Sequence, residues 1–164
     1  MNALEETKAV ARPFVNVGGS NITKILVAVD LTPHSEKTAA YGAEFAKRVG
    51  ASVILLHVFP PEPSVEFASE CVYESFERSR RLMAERLTKL IEQVHETGVR
   101  CERDFRVGDP AEQIVVAAQD QHADLIITGV HHPGFLGRLF GLDQPPRILH
   151  RARCPVLVYH EGTE

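Results

Sequence analysis

The chain has no tryptophan, only two methionines and three cysteines, and its apolar residues never run long. Each shortage excludes something. The runs "ILVAV", "VILLHV", "LIITGV" and "VLVY" fall far short of the roughly 20 residues that a membrane-spanning helix needs. Cys71, Cys101 and Cys154 are odd in number and lie in different segments, which suits reduced thiols rather than a disulfide framework. No basic start followed by an apolar stretch opens the chain, so a secretory signal is not expected and a cytoplasmic location is. Basic blocks are missing as well. With 18 Lys and Arg against 22 Asp and Glu the net charge is −4, which leaves no electrostatic footprint for nucleic acid.

Signatures of catalysis are equally scarce. There is no G-x-S-x-G elbow, and no G-x-G-x-x-G opens the first helical segment. The glycines of "FLGRLFG" are not followed by Lys-Ser/Thr, so this is not a Walker loop. His131 and His132 are adjacent, and on an extended backbone their rings point apart. No Cys, Asp or Glu stands beside them at ligand spacing, so a metal site is not expected. His57 lies in an apolar run and reads as a core histidine with a satisfied ring. Nothing compels an enzyme.

What remains is an ordinary globular composition, 44% hydrophobic and 24% charged, in 164 residues that suit one domain. Residues 1–23 show no clean period and end near "GGSN". They read as an N-terminal extension, loosely ordered or docked on a partner, ahead of a domain over 24–160 and a tail over 161–164. "KILVAVD" is a continuous apolar run ending in an acid, as in a strand buried on both faces. "LTPHSEKTAAYGAEFAKRVG" carries Pro33 and Ser35 near its start, apolar positions at Ala39, Ala40, Ala43, Phe45 and Ala46, and Gly50 as a stop, which predicts a helix. "ASVILLHV" is a second buried strand, and the prolines of "FPPEPS" end it.

A long helix is predicted over 66–97, with Phe76, Met83, Leu87, Leu90, Ile91 and Val94 on one stripe. "VRCERDFRVG" alternates as an edge strand does, and Asp109 with Pro110 supplies an N-cap and first-turn proline for a helix over 111–121. Residues 124–128 and 155–159 give the last two strands. Strands alternating with helices demand right-handed crossovers, hence an α/β fold: a doubly wound, Rossmann-like five-stranded parallel sheet with helices on both faces. In such sheets ligands bind beyond the carboxyl ends of the strands. That places Asp30 and its loop, Val58 with "FPPEP", Gly108, and Gly129 with its long loop around any site. Asp30 can contact a ligand or cap the turn through "LTPHS".

These segments resemble the universal stress protein family from about Lys24 to Tyr159. The resemblance rests on "KILVAVD…S", "VILLHV", "GDPAEQIVVAAQDQHADLIITGVHH" and "ILHRARCPVLVY". It implies a fold of the adenine nucleotide alpha hydrolase-like kind and a homodimer formed through the last strand. A further regulatory protein partner is also expected. Many members bind adenine nucleotides, usually ATP, and others do not. By resemblance Asp30 and Val58 fall where members hold adenine and ribose, with Ala28 and Val29 flanking, while Thr128 and Gly129 open the phosphate loop.

In binding members that loop reads Gly, two residues, Gly, nine residues, Gly, then Ser or Thr. Anchored on Cys154-Pro155-Val156, the second Gly becomes His132 and the Gly-Ser pair becomes Leu142-Asp143. A helix N-terminus holds phosphate through free N–H groups and its positive dipole end. Pro145 and Pro146 supply no N–H, and Asp143 would cap the same end with a negative charge. The expectation is a dimeric, non-catalytic regulatory module with weakened or altered adenine-nucleotide binding. One alternative keeps ATP or AMP binding through a shifted loop of Gly134, Gly137 and Gly141, with Arg138 or Arg147 as counter-charge. Another is a small nucleotide hydrolase or transferase on the same fold.

Overall fold

The computed structural model describes residues 21–61, 69–129 and 144–160. Among these, strands β1 (Lys24–Ala28), β2 (Ser52–Phe59), β3 (Cys101–Val107), β4 (Leu125–Gly129) and β5 (Val156–Tyr159) alternate with helices α1 (Pro33–Val49), α2 (Glu70–Glu96), α3 (Pro110–Asp120) and α4 (Gln144–Arg151). The strands form one sheet in the order β3-β2-β1-β4-β5, and every neighbouring pair is parallel. The chain therefore starts at the centre, winds outward to β3, and returns across β1 to lay down β4 and β5. The winding reverses between β1 and β4, which is where a crevice opens in sheets of this kind.

Both faces of the sheet are covered, and strand alternation divides the core in two. On one face Ile25, Val27, Val29, Val53, Leu55, Leu125 and Ile127 meet α1 and the inner stripe of α2, chiefly Leu87, Leu90 and Val94. On the other, Leu26, Leu56 and Ile126 meet Ala111, Ile114, Val115 and Ala118 of α3 and Ile148 of α4. Strand β3 lies at an edge and is mostly exposed or half-buried, as its alternating sequence predicts. The described part of the long second helix begins at Glu70; residues 66–68 of the predicted span lie outside the described residues. One expectation in α1 is corrected. Ala40 is exposed, and Gly42 occupies the inner face with Ala39, Ala43 and Ala46. The helical period explains this, because residue 40 lies about 100° around the axis from residue 39.

The lower end of β1 is pinned by Asp124. Its carboxylate accepts from the Thr23 N–H at 2.8 Å, the Thr23 hydroxyl at 2.9 Å and the Lys24 N–H at 3.0 Å. Burial opposes the charge there, but these hydrogen bonds with the Lys24 cation outweigh it and hold the carboxyl below its ordinary range.

Helix α1 lies unusually close to the sheet. A Cβ placed on Gly42 would come within 2.7 Å of Val27 Cγ2. Val27 is fully buried in the central strand, so its methyl cannot retreat. Gly42→Ala should therefore destabilise the fold by up to about 2 kcal/mol, the overpacking cost exceeding the roughly 1 kcal/mol that alanine gains in a helix. Urea unfolding checks this; a more stable variant would show that α1 does not sit this close.

Candidate functional site

Strand register assembles the crevice. Ala28 pairs with Leu56 on one side and with Thr128 on the other, and Thr128 pairs with Val158. Val58 stands two residues beyond Leu56 on the same face, level with Arg106 of β3. Ala28, Val58 and Thr128 thus share the face covered by α3 and α4, with Ala28 and Val58 half-buried against the apolar set that contains Ile148. These three predicted residues do come together. Val29 and Gly129 alternate to the opposite face, where the Val29 side chain is sealed in the core. Gly134, Gly137 and Gly141, with His131, His132, Arg138, Leu142 and Asp143, lie outside the described residues.

The turn after β1 is held at several points. The Val29 N–H donates to the Leu56 carbonyl at 2.9 Å, continuing the ladder past the end of β1. The Val29 carbonyl accepts from His57 Nδ1 at 2.9 Å; a carbonyl only accepts, so Nδ1 carries the hydrogen. Burial pushes the His57 imidazole below its ordinary value, against the Val29 hydrogen bond and the Asp30 charge, so the ring is neutral near pH 7. Phe59 and Phe105 flank it at 6.3 and 5.6 Å. His57 is the satisfied core histidine that the apolar run predicts.

Asp30 is exposed, and its Oδ1 accepts from the Thr32 N–H at 3.0 Å and the Thr32 hydroxyl at 2.6 Å. It caps the turn that leads into α1. Between them Leu31 adopts φ 61°, a left-handed conformation that costs a non-glycine residue about 1–2 kcal/mol. Its buried side chain and the flanking hydrogen bonds hold it there. The strain sits beside Asp30 at the crevice, where such strain gathers in binding sites.

Gly129 has a packing reason to be glycine. A Cβ there would lie 2.6 Å from the Thr38 hydroxyl, which is buried beneath it. Sequence reading missed Thr38, although its position three residues after Ser35 and four before Gly42 places it on the inner face of α1.

On the other rim the Gly108 N–H donates to the Phe59 carbonyl at 2.9 Å, which fixes Asp109 just beyond Val58. Asp109 is the N-cap of α3, accepting from the Glu112 N–H at 3.0 Å. It also receives a two-pronged pair from Arg147, with Nη1 to Oδ2 and Nη2 to Oδ1 both at 2.9 Å. The Arg147 hydrogen bonds, aided by the Glu112 N–H and against partial burial, hold the Asp109 carboxyl below its ordinary range. Arg106 is matched in the same manner, to Asp104 at 3.0 Å and Asp120 at 2.9 Å. In α4, Pro145 and Pro146 occupy the first turn, so two of its leading backbone positions carry no N–H.

Comparison with known proteins fits this architecture. Residues 21–160 match the model of the universal stress protein family. A Thermus aquaticus universal stress protein is 33% identical over 138 residues, covering 82% of this chain and 96% of that protein. A universal stress protein solved in complex with cAMP superposes with a TM-score of 0.64 at 22% identity, covering 86% of this chain and 98% of that one. The Archaeoglobus fulgidus universal stress protein solved with dAMP superposes with a TM-score of 0.60 at 20% identity, covering 85% and 98%. Sheet order, crevice and sequence match agree, and the chain belongs to the universal stress protein family.

Proposed function

We propose that this chain is a cytoplasmic regulatory module that binds the adenine and ribose of a nucleotide at the carboxyl ends of β1, β2 and β4 and holds its phosphates weakly. Ala28, Val58 and Thr128 form the floor for the base. Asp30 offers its carboxylate to a ribose hydroxyl, while Val29 and Gly129 fix the backbone on either side. The observation that carries the weak phosphate grip is the Arg147 fork on Asp109: a cation beside the crevice is already matched by an internal anion. The two prolines in the first turn of α4 support the same reading, since a helix end holds phosphate through N–H groups they lack.

Binding rather than turnover is the function the geometry favours. Asp30 is turned onto Thr32, His57 onto the Val29 carbonyl, and Asp109 onto Arg147 and Glu112. Among the described residues, these three groups that could move a proton each have an internal partner. A second reading, in which phosphate is gripped as well through Gly134, Gly137 and Gly141, draws on the two relatives solved with cAMP and dAMP.

The reading includes a homodimer formed through β5. That strand is at the sheet edge, and its four residues are only half-buried in the single chain. Tyr159 stacks on Tyr41 of α1 with ring centroids 4.9 Å apart, which extends the apolar edge on one face. An open apolar edge strand invites pairing, and a second copy would cover it. Light scattering at micromolar concentration should show a dimer. Val158→Lys should weaken that dimer at least tenfold, since a two-fold interface meets the change twice and each valine loses about 1.5–3 kcal/mol of burial. A strictly monomeric parent protein would end this part of the reading.

Asp30→Ala tests the binding site itself. The variant should stay folded, losing about 0.5–1.5 kcal/mol with the Thr32 hydrogen bonds. Adenosine affinity should fall about tenfold, as expected for a lost hydrogen bond to a charged group. Titration calorimetry on both proteins decides it, and equal affinities would place the ligand elsewhere.

A further inference from the structure

Asp109 and Arg147 form the strongest type of side-chain pair, a planar guanidinium facing a carboxylate with two parallel hydrogen bonds of 2.9 Å. The same fork geometry fits a phosphate equally well. The pair is not sealed away: the Arg147 side chain is 38% exposed and that of Asp109 33%. It also stands at the crevice. The Gly108–Phe59 hydrogen bond sets Asp109 just past Val58, and Arg147 precedes Ile148, which is fully buried in the apolar set that Ala28 and Val58 join.

We propose that Asp109 acts as an internal stand-in for a ligand phosphate and thereby sets the site's preference for a nucleoside over its phosphorylated forms. The inference rests on the adenine-binding reading above and names the residue pair that tunes it. The mechanism has two parts. Asp109 occupies both guanidinium nitrogens that a phosphate would seek. A phosphate that displaced it would then leave a bare carboxylate beside its own negative charge, and like charges at such range repel. The carboxylate is retained for a second duty, since it also caps α3 through the Glu112 N–H. Charge and cap are separable, because asparagine caps helices about as well as aspartate.

The test titrates adenosine and AMP, at one ionic strength, into the parent protein, Asp109→Asn, Arg147→Gln and the double variant. In Asp109→Asn the cap survives while Arg147 loses its counter-anion. AMP affinity should rise about tenfold relative to adenosine, the worth of a freed charge-assisted hydrogen bond. The double variant should lose that gain. Arg147→Gln alone should lower AMP affinity relative to adenosine, because it bares the Asp109 carboxylate beside the phosphate. Thermal melts confirm that each variant is folded. If adenosine binds the parent but Asp109→Asn gives no AMP gain, this inference fails and the adenine site stands. If the double variant keeps the AMP gain of Asp109→Asn, the freed Arg147 is not what receives the phosphate and the inference is overturned. If adenosine does not bind the parent at all, the adenine reading falls and takes this inference with it.

Discussion

Helix α1 touches the sheet at two points where a glycine leaves only one side chain between the backbones, Gly42 above Val27 and Thr38 beneath Gly129. A helix that lies this close to β1 and β4 leaves the connection after β1 little room. The chain must turn out of the strand and enter α1 within a few residues, and Leu31 takes a left-handed conformation to do so. Asp30 is carried to the exposed rim by that turn and locked there by Thr32. The close approach thus fixes where Asp30 stands relative to Ala28 and Thr128, and with it the shape of the crevice.

Among the described residues, His57, Arg106 and Arg147 each have a partner within the protein. His57 is kept neutral by burial and spends its Nδ1 hydrogen on the Val29 carbonyl. Arg147 spends its fork on Asp109, and Arg106 is held between Asp104 and Asp120. In the proposed reading such a site offers an apolar floor and a carboxylate to a base and sugar, while the Arg147 fork is already engaged. Selectivity of the proposed kind would come from pairings already made in the protein and would not need a pocket of unusual shape.

Local patterns made the fold legible in the sequence. Continuous apolar runs gave the buried strands, alternation gave the edge strand β3, and Asp109-Pro110 marked the start of α3 through a cap the structure confirms. Asp30 at a strand end and His57 within an apolar run were also readable, because their surroundings are set by neighbours in the chain. The site was legible only in part. Resemblance singled out Ala28, Val58 and Thr128, and strand register in the structure brings them to one face, but the Arg147–Asp109 fork joins residues 38 apart, and no local period signals it. Nor does a sequence show that Gly42 is a packing glycine, since that depends on how closely a helix settles on a particular valine. Leu31 was invisible for a similar reason: leucine carries no propensity for positive φ, and tertiary burial imposes it.

The central claim is that this crevice recognises base and sugar and gains little from phosphate. Titration calorimetry of the unmodified protein with adenosine and ATP, at the same salt concentration, tests it most directly. The account predicts that ATP binds within about tenfold of adenosine, because one exposed helix end or one screened cation adds only about 0.3–1 kcal/mol. ATP binding more than about a hundredfold tighter than adenosine, a difference of roughly 2.7 kcal/mol, would contradict it.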